Sequence, residues 1–270
     1  MNDEPGAGVP LISPRALRST RRLLQRRTRA ERGLFLAEGA QAVREALSRP
    51  GVVRRLIVAD PERHGELMSA AGGAETVRAR PEELRMLCDT VTPQGIVAVC
   101  RWPRARLSDV RHPRLVVICA QVRDPGNAGT VVRCADAFGA DAVVLTRGSV
   151  DITNPKTVRA SVGSVFHLPV ITGAGLGETV GWARANAMTV LAADGTGTAL
   201  DELDARGELA RPTAWLLGNE AWGLPADQLD AADQVAAVPM WGRAESLNLS
   251  TAAAICLYVS ASAQRRGPQR

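Results

Sequence analysis

Three segments of this chain place amide, hydroxyl or carboxylate side chains directly after an apolar run that is typical of a buried strand. The segments are "QVRDPGNAGTVVRCADAFGA", "WLLGNEAWGLP" and "VPMWGRAESLNLS". In parallel α/β sheets, ligands bind where the carboxyl ends of the strands meet their loops. We therefore expect these three loops to converge on one site.

The side chains in these segments that could do chemistry differ in type. Asn127 lies at the start of a predicted helix that carries Arg133 on its second turn, and Glu220 follows the second buried strand. Ser246 and Asn248 crowd the start of the C-terminal helix, although capping a helix needs only about one such residue. This surplus predicts that Ser246 and Asn248 serve a ligand site as well as a helix cap.

Several other kinds of chemistry are not supported by the sequence. It contains no GxSxG nucleophile elbow, and its three histidines are too few and too far apart to predict a zinc site. The run "AADGTGTAL" has no lysine after it as a phosphate-binding loop does, so we expect a turn there. The five cysteines are scattered through apolar stretches, which predicts reduced core residues.

Positive charge is concentrated in the first part of the chain. Residues 1–113 carry 20 Arg and 13 acidic residues, whereas residues 114–270 carry 12 Arg, one Lys and 15 acidic residues. Eight arginines lie between Arg15 and Arg32 beside a single acid, Glu31. Phosphate is the usual partner of such a cluster, and a solvated arginine-rich helix is the alternative interpretation.

The chain shows no pattern that would direct it into a membrane. No apolar run approaches the roughly 20 residues that span a bilayer. The first residues, "MNDEPGAGVP", lack the basic and apolar regions of a signal peptide. We therefore expect a cytoplasmic protein without a membrane partner.

The order of predicted elements divides the chain into two α/β domains. Residues 1–103 alternate short helices and strands, and residues 104–113 form a linker interrupted by proline and arginine. Residues 114–270 alternate continuous apolar strands with amphipathic helices. This pattern indicates a mostly parallel sheet flanked by helices.

Taken in order, the three polar segments resemble the motifs of the SpoU (TrmH-type) RNA ribose methyltransferases of the SPOUT superfamily. "RGLFLAEGAQAVREAL" and "TPQGIVAV" resemble that family's small substrate-binding domain, so the resemblance covers nearly the whole chain. It implies transfer of a methyl group from S-adenosylmethionine to an RNA ribose 2′-hydroxyl without a metal. It also implies a deep trefoil knot in the C-terminal domain and a homodimer whose sites lie near the subunit interface.

The resemblance implies a role for each motif residue. Arg133 matches the catalytic arginine, acting either as a base assisted by an RNA phosphate or as a clamp that orients phosphate and stabilises the developing alkoxide. Asn127 would support the site, and Glu220 would fix the second loop and contact the other subunit. Ser246 and Asn248 would hydrogen-bond the substrate or hold the knot loops.

Further contacts are expected with the cofactor and with RNA. The residues expected to contact S-adenosylmethionine, largely through backbone groups, are Gly218, Val238, Met240 and Leu247. The arginines expected to bind RNA phosphates are Arg21, Arg22, Arg26 and Arg27. Two tryptophans near the motifs, Trp222 and Trp241, could stack on a base or pack against the protein.

We expect ribosomal RNA to be the substrate, because a separate basic domain precedes the motifs and the chain resembles rRNA-modifying members overall. Three alternatives remain open at this stage. They are a tRNA 2′-O-methyltransferase, an rRNA methyltransferase that confers antibiotic resistance, and a non-catalytic RNA-binding factor.

Overall fold

A computed structural model describes residues 8–266 of the chain. Most of the N-terminal stretch "MNDEPGAGVP", to which the signal-peptide prediction applies, and the outer ends of the two predicted domains lie outside these residues. No helix in residues 8–266 is long and apolar enough to cross a membrane. The cytoplasmic location stays a prediction.

The described residues form strands and helices that alternate along most of the chain. The strands are β1 Leu34–Glu38, β2 Val53–Val58, β3 Glu75–Arg78, β4 Ile96–Arg101, β5 Leu115–Cys119, β6 Ala142–Leu145, β7 Val170–Thr172, β8 Thr189–Ala199, β9 Thr213–Leu217 and β10 Gln234–Ala237. The α-helices are α1 Pro14–Arg21, α2 Arg26–Arg32, α3 Ala40–Leu47, α4 Gly65–Ser69, α5 Pro81–Arg85, α6 Pro125–Ala137, α7 Pro155–Ser161, α8 Leu176–Ala185, α9 Leu200–Ala205, α10 Ala226–Leu229 and α11 Leu249–Arg266.

The chain forms two compact units. The first unit runs to Pro103 and also includes Asp151–Phe166, which contains α7. The second unit consists of Arg104–Val150 and the chain from His167 onward. The predicted division into residues 1–103 and 114–270 around a linker did not anticipate that a segment after β6 belongs to the first unit.

The first unit is built on a four-stranded sheet in the order β1-β4-β2-β3. Strand β4 is antiparallel to both of its neighbours, and β2 is parallel to β3. Apolar side chains from the strands, such as Leu36, Ile57 and Val97, pack into a core together with Leu17 and Leu84 from the helices. The continuous apolar run of β4 is fully buried up to its last residue.

A buried arginine holds the inserted segment in the first unit. Arg29 is only 4% exposed, and it donates to the Asp151 carboxylate from Nε at 3.1 Å and from Nη2 at 2.7 Å. Its Nη1 donates to the carbonyl oxygens of Leu23 and Leu24 at 3.0 and 2.7 Å. Because each nitrogen has an acceptor and the charge faces a carboxylate, the buried guanidinium is compensated.

The second unit is built on a six-stranded sheet in the order β10-β8-β9-β5-β6-β7, and every neighbouring pair is parallel. Strands β5 and β9 are buried along their whole length, as expected for a sheet covered on both faces. The predicted fold class, a parallel α/β sheet flanked by helices, is confirmed. The trefoil knot stays a prediction.

Helices cover both faces of this sheet. On one face, Val116 and Ala214 pack in the same core as Val180 and Ala183 of α8. On the other face, the fully buried Trp215 of β9 donates from Nε1 to Ser260 Oγ of α11 at 2.9 Å. The small apolar residues of α11 allow this close packing, and the single buried hydroxyl satisfies the indole.

Strand β8 contains an irregularity where the sequence predicted a turn. Val235 of β10 is opposite Ala192, but the next residue, Ala236, is opposite Thr198, so residues 193–197 bulge out of the ladder. A Cβ at Gly197 would lie 2.3 Å from the carbonyl carbon of Val235, so this close backbone approach requires glycine. The turn prediction is therefore wrong, because "AADGTGTAL" forms a bulged strand.

Replacing Arg29 by alanine is expected to destabilise the first unit strongly. Removing one partner of a buried ion pair leaves the other charge uncompensated, which lowers the free energy of unfolding by about 3–5 kcal/mol. Arg26→Ala, at an exposed position of the same helix, is the matched control and is expected to change it by less than about 0.5 kcal/mol. Urea denaturation followed by circular dichroism measures both, and equal effects would contradict a structural role for Arg29.

Candidate active site

Glu220 joins the first two polar loops at the carboxyl edge of the parallel sheet. It lies in the loop that follows β9, while the other loop leads from β5 into α6. The Glu220 carboxylate accepts from the backbone N–H of Arg123 at 3.1 Å and of Asp124 at 3.0 Å. It also accepts from Asn127 Nδ2 at 3.3 Å. One carboxylate therefore holds the start of α6 against the end of β9, where the helix dipole favours negative charge.

Asn248 joins the third loop to the first. Its Nδ2 donates to Asn127 Oδ1 at 3.1 Å. Its Oδ1 accepts from the backbone N–H of Ser250 at 2.9 Å and from the Ser250 hydroxyl at 2.6 Å, and so caps the start of α11. The structure thus shows why this helix begins with so many polar groups, since one side chain both caps it and links two loops.

The second loop is a tight turn that depends on two glycines and an asparagine. Asn219 and Gly223 exchange backbone hydrogen bonds at 2.9 Å, and Asn219 Nδ2 donates to the carbonyl oxygen of Gln121 at 2.7 Å. A Cβ at Gly218 would lie 2.3 Å from the carbonyl carbon of Gly223. Asn219 was missed as a site residue, although it stands inside a motif that was singled out.

A cavity of about 510 Å³ opens beside these loops. All four residues predicted to contact the cofactor line it, namely Gly218, Val238, Met240 and Leu247. Three of the predicted catalytic residues also line it, namely Glu220, Ser246 and Asn248. The bulge of β8 contributes Ala193, Asp194 and Gly195, which were not predicted as site residues because this glycine-rich stretch is typical of a turn.

Arg133 lies apart from this cavity. It is exposed on α6, six residues after Asn127, and at 100° per residue the two positions lie about 120° apart around the helix. Within residues 8–266, neither Arg133 nor Asn127 is among the residues that line the cavity. A single chain therefore brings the predicted cofactor residues together but leaves the predicted catalytic arginine outside.

The thiols of Cys119 and Cys256 are poor nucleophiles near neutral pH. Burial, together with the charge of Glu220, raises the pKa of the Cys119 thiol to about 12, and burial raises the pKa of Cys256 to about 12. A thiol rather than a thiolate is therefore present near neutral pH. Within the described residues, no group of three His, Cys, Asp or Glu side chains is placed to hold a metal ion.

The arginines predicted to bind RNA lie in the first unit. Arg21, Arg22, Arg26 and Arg27 are all exposed. Arg27 also pairs with Glu31 across one helical turn, with 2.7 Å between Nε and the carboxylate. The other members of the arginine-rich segment are exposed too, with the exception of Arg29.

The chain matches two protein-family models, one in each of its halves. Residues 114–258 match the SpoU rRNA Methylase family, and residues 15–98 match the MRM3-like substrate binding domain. The first match covers more than half of the chain and contains all three polar loops. The second match lies within the first unit and includes the arginine-rich segment.

Individual relatives extend over most of the chain. It is 37% identical over 240 residues to the 23S rRNA (guanosine(2553)-2′-O)-methyltransferase RlmP of Bacillus subtilis, covering 88% of this chain and 92% of that protein. It is 32% identical over 251 residues to the 23S rRNA (uridine(2479)-2′-O)-methyltransferase of Streptomyces viridochromogenes, covering 86% and 83%. The crystal structure of an AdoMet-bound rRNA methyltransferase from Sinorhizobium meliloti superposes with a TM-score of 0.82 at 30% identity, covering 97% and 98%.

Replacing Glu220 by glutamine is expected to loosen the junction of the loops. An amide has only one acceptor oxygen, so the N–H groups of Arg123 and Asp124 cannot both keep their bonds. We expect the free energy of unfolding to fall by about 1 kcal/mol. Glu245→Gln changes an exposed carboxylate on the wall of the same cavity, and urea denaturation should show a smaller effect for it. An unchanged midpoint for Glu220→Gln would contradict the proposed junction.

Proposed function

The chain belongs to the SpoU rRNA methylase family, and from this we infer that it is an S-adenosylmethionine-dependent RNA methyltransferase that modifies a ribose 2′-hydroxyl. One observation on the described residues supports this function. Glu220, Asn127 and Asn248 form one hydrogen-bonded chain that holds the three motif loops around a common cavity.

The cavity fits S-adenosylmethionine in size and in chemistry. Its volume of about 510 Å³ suits a ligand of nucleoside size, and small-molecule sites usually span about 300–1,000 Å³. Three carboxylates on its wall, from Asp194, Glu220 and Glu245, complement the positive charge of a sulfonium group. Gly218 lies on the cavity wall without a side chain, which suits close approach of an adenine edge to the main chain. When bound, the cofactor supplies an electrophilic methyl group that needs no further activation.

The protein must then place the 2′-oxygen in line with that methyl group and assist loss of its proton. Positioning alone can supply a large part of the reduction in the barrier. We propose that Ser246 and Asn248, which line the cavity, orient the ribose by hydrogen bonds. Arg133 is exposed, and arginine normally stays protonated, which favours a clamp on phosphate and the developing alkoxide over a literal base.

We also propose that the protein acts as a homodimer in which the partner's Arg133 completes each cavity. The position of Arg133 outside the cavity of its own chain supports this. A second support is an aromatic pair that is partly open to solvent where α11 packs against the end of α6. Phe138 meets Tyr258 edge to face there with ring centroids 5.8 Å apart, and Tyr258 is 59% exposed. A twofold axis through such a surface would bury it in both subunits at once.

We propose large-subunit ribosomal RNA as the substrate. The support is that two relatives matching more than four fifths of this chain are named as 23S rRNA 2′-O-methyltransferases. The basic segment of the first unit would bind the RNA backbone through phosphates. Methylation of tRNA instead of 23S rRNA would show that tRNA is the substrate.

The reaction can be tested with isotopically labelled S-adenosylmethionine and deproteinised 23S rRNA or tRNA. Nucleoside mass spectrometry should find the label in a 2′-O-methyl nucleoside from 23S rRNA. Arg133→Ala should lower the rate at least about 100-fold, as expected when a preorganised charge-stabilising group is lost, without changing affinity for the cofactor. Arg211→Ala, at an exposed position before the amino end of β9 and so at the opposite edge of the sheet from the motif loops, is the control. Label on a base, or in tRNA only, would contradict the proposal.

Mixed dimers test whether Arg133 completes the cavity of the other subunit. Mixed dimers would carry Arg133→Ala in one subunit and Asn248→Ala in the other. If Arg133 acts across the interface, the cavity of the Arg133→Ala subunit keeps its own Asn248 and receives Arg133 from the other subunit, so it is complete. Because the wild-type dimer has two such cavities, the mixed dimer should show about half of the wild-type rate. If Arg133 acts within its own chain, both cavities stay defective. A protein that stays monomeric in light scattering would also contradict the dimer.

Charge reversal in the first unit tests the RNA contacts. Changing Arg21, Arg22, Arg26 and Arg27 together to Glu should weaken RNA binding and lower the slope of log affinity against log salt by about 3, because each lost phosphate contact removes about 0.7–0.9. Cofactor binding in the second unit should not change. Reversing four other exposed arginines of this unit, Arg54, Arg63, Arg78 and Arg85, gives the same net charge. An equal loss in both variants would indicate a nonspecific charge effect.

A further inference from the structure

The loop that carries Glu220 also exposes a tryptophan. The Trp222 side chain is 47% exposed, although it stands between Ala221 and Gly223, both of which line the cavity. Trp241, on the third loop, is 90% exposed. Packing in the protein core, one of the two alternatives left open by the sequence, therefore does not explain either residue. A large indole at the rim of the cavity calls for another explanation.

An arginine covers Trp222. The guanidinium carbon of Arg123 lies 4.9 Å from the centre of the indole ring, within the range of a cation–π contact. Arg123 comes from the loop after β5, 99 positions away from Trp222 in the sequence. Its backbone N–H donates to Glu220, two residues before Trp222. The carboxylate that joins the two loops thus also sets the indole and the guanidinium beside each other.

The positive charge of Arg123 is not used inside the described part of the chain. Many arginines here face a carboxylate, as Arg29 faces Asp151 and Arg184 faces Asp233. Arg123 is exposed, and within residues 8–266 it forms no ion pair. It is therefore held in place by an aromatic ring while its N–H groups stay open to an anion.

The loop does not need the indole for its own conformation. Asn219 and Gly223 close the turn through two backbone hydrogen bonds, and Asn219 Oδ1 accepts from the N–H of Ala221 at 2.8 Å. Glu220 ties the turn to α6. The backbone on both sides of Trp222 is thus fixed by its neighbours, and the side chain is presented by a rigid frame.

We propose that Arg123 and Trp222 form a platform for one unpaired RNA nucleotide next to the ribose that is methylated. This inference rests on the proposed function. The base stacks on the indole, and the guanidinium binds a neighbouring phosphate. Stacking of this kind accepts any base, because every base has a π face. An unpaired nucleotide is required, since a paired base does not offer that face, and recognition of RNA by aromatic side chains relies on splayed-out bases.

The platform can be tested without methyl transfer. The probes are a fluorescent ten-nucleotide oligouridine and an abasic ribose-phosphate strand of the same length, with binding followed by anisotropy. Trp222→Ala should weaken oligouridine binding about tenfold and leave the abasic strand unaffected, whereas Trp222→Phe should keep most of the affinity. Arg123→Ala should weaken both probes, because it removes the phosphate contact. Arg211→Ala is its matched control at an exposed position. Calorimetry should show unchanged affinity for S-adenosylmethionine in every variant.

The same variants should separate binding from catalysis. With 23S rRNA, Trp222→Ala should raise KM about tenfold and leave kcat within about twofold of wild type. Equal binding of oligouridine by wild type and Trp222→Ala would overturn the platform, as would failure of the wild type to bind the oligouridine. Loss of cofactor affinity in Trp222→Ala would instead indicate a structural role and would also overturn it. Label transfer by the wild type, measured separately, shows whether the proposed function survives in each case.

Discussion

The Glu220 carboxylate is the contact on which the candidate site depends. It accepts two backbone N–H groups at the start of α6 and the amide of Asn127, whose oxygen in turn accepts from Asn248. Asn248 caps α11 at the other end of this chain of bonds. Three loops that are remote in sequence are therefore positioned by one continuous set of polar contacts. The backbone N–H groups of Arg123, Asp124 and Ser250 that take part lie at helix starts, where they would otherwise lack a partner.

Two close approaches of the backbone shape the wall of the cavity. Gly218 lies so near Gly223, and Gly197 so near Val235, that a side chain at either glycine would collide with the opposing main chain. The first approach lies in the turn after β9, and the second lies where residues 193–197 leave the ladder of β8. Gly218 and Gly195 from these two segments line the cavity, so part of its wall has no side chain. Such a wall is suited to recognising the edge of a nucleobase.

Arginine has several distinct roles in this protein, and its surroundings separate them. Arg29 is enclosed by a carboxylate and two carbonyl oxygens and holds the inserted segment of the first unit. Its neighbours along the same segment are exposed, and Arg27 among them pairs with Glu31. Arg123 rests on an indole, and Arg133 is exposed on α6. A guanidinium has five donors and stays charged, so the acceptors within reach determine whether it stabilises the fold or stays free to bind phosphate.

The sequence by itself determined the parallel α/β class, because continuous apolar runs between amphipathic helices have few other ways to be buried. It also identified part of the cavity wall, because the resemblance of its motifs to the family implied Gly218, Val238 and Leu247 and the surplus of polar groups before α11 pointed to Ser246. Only the tertiary structure decided which arginine is buried, that Arg133 lies outside its own cavity, and that Arg123 lies over Trp222. These outcomes depend on contacts between residues that are far apart in the chain. The spacing of apolar residues indicates which face of a helix or strand is buried. It does not indicate which side chain from a distant part of the chain will pack against that face.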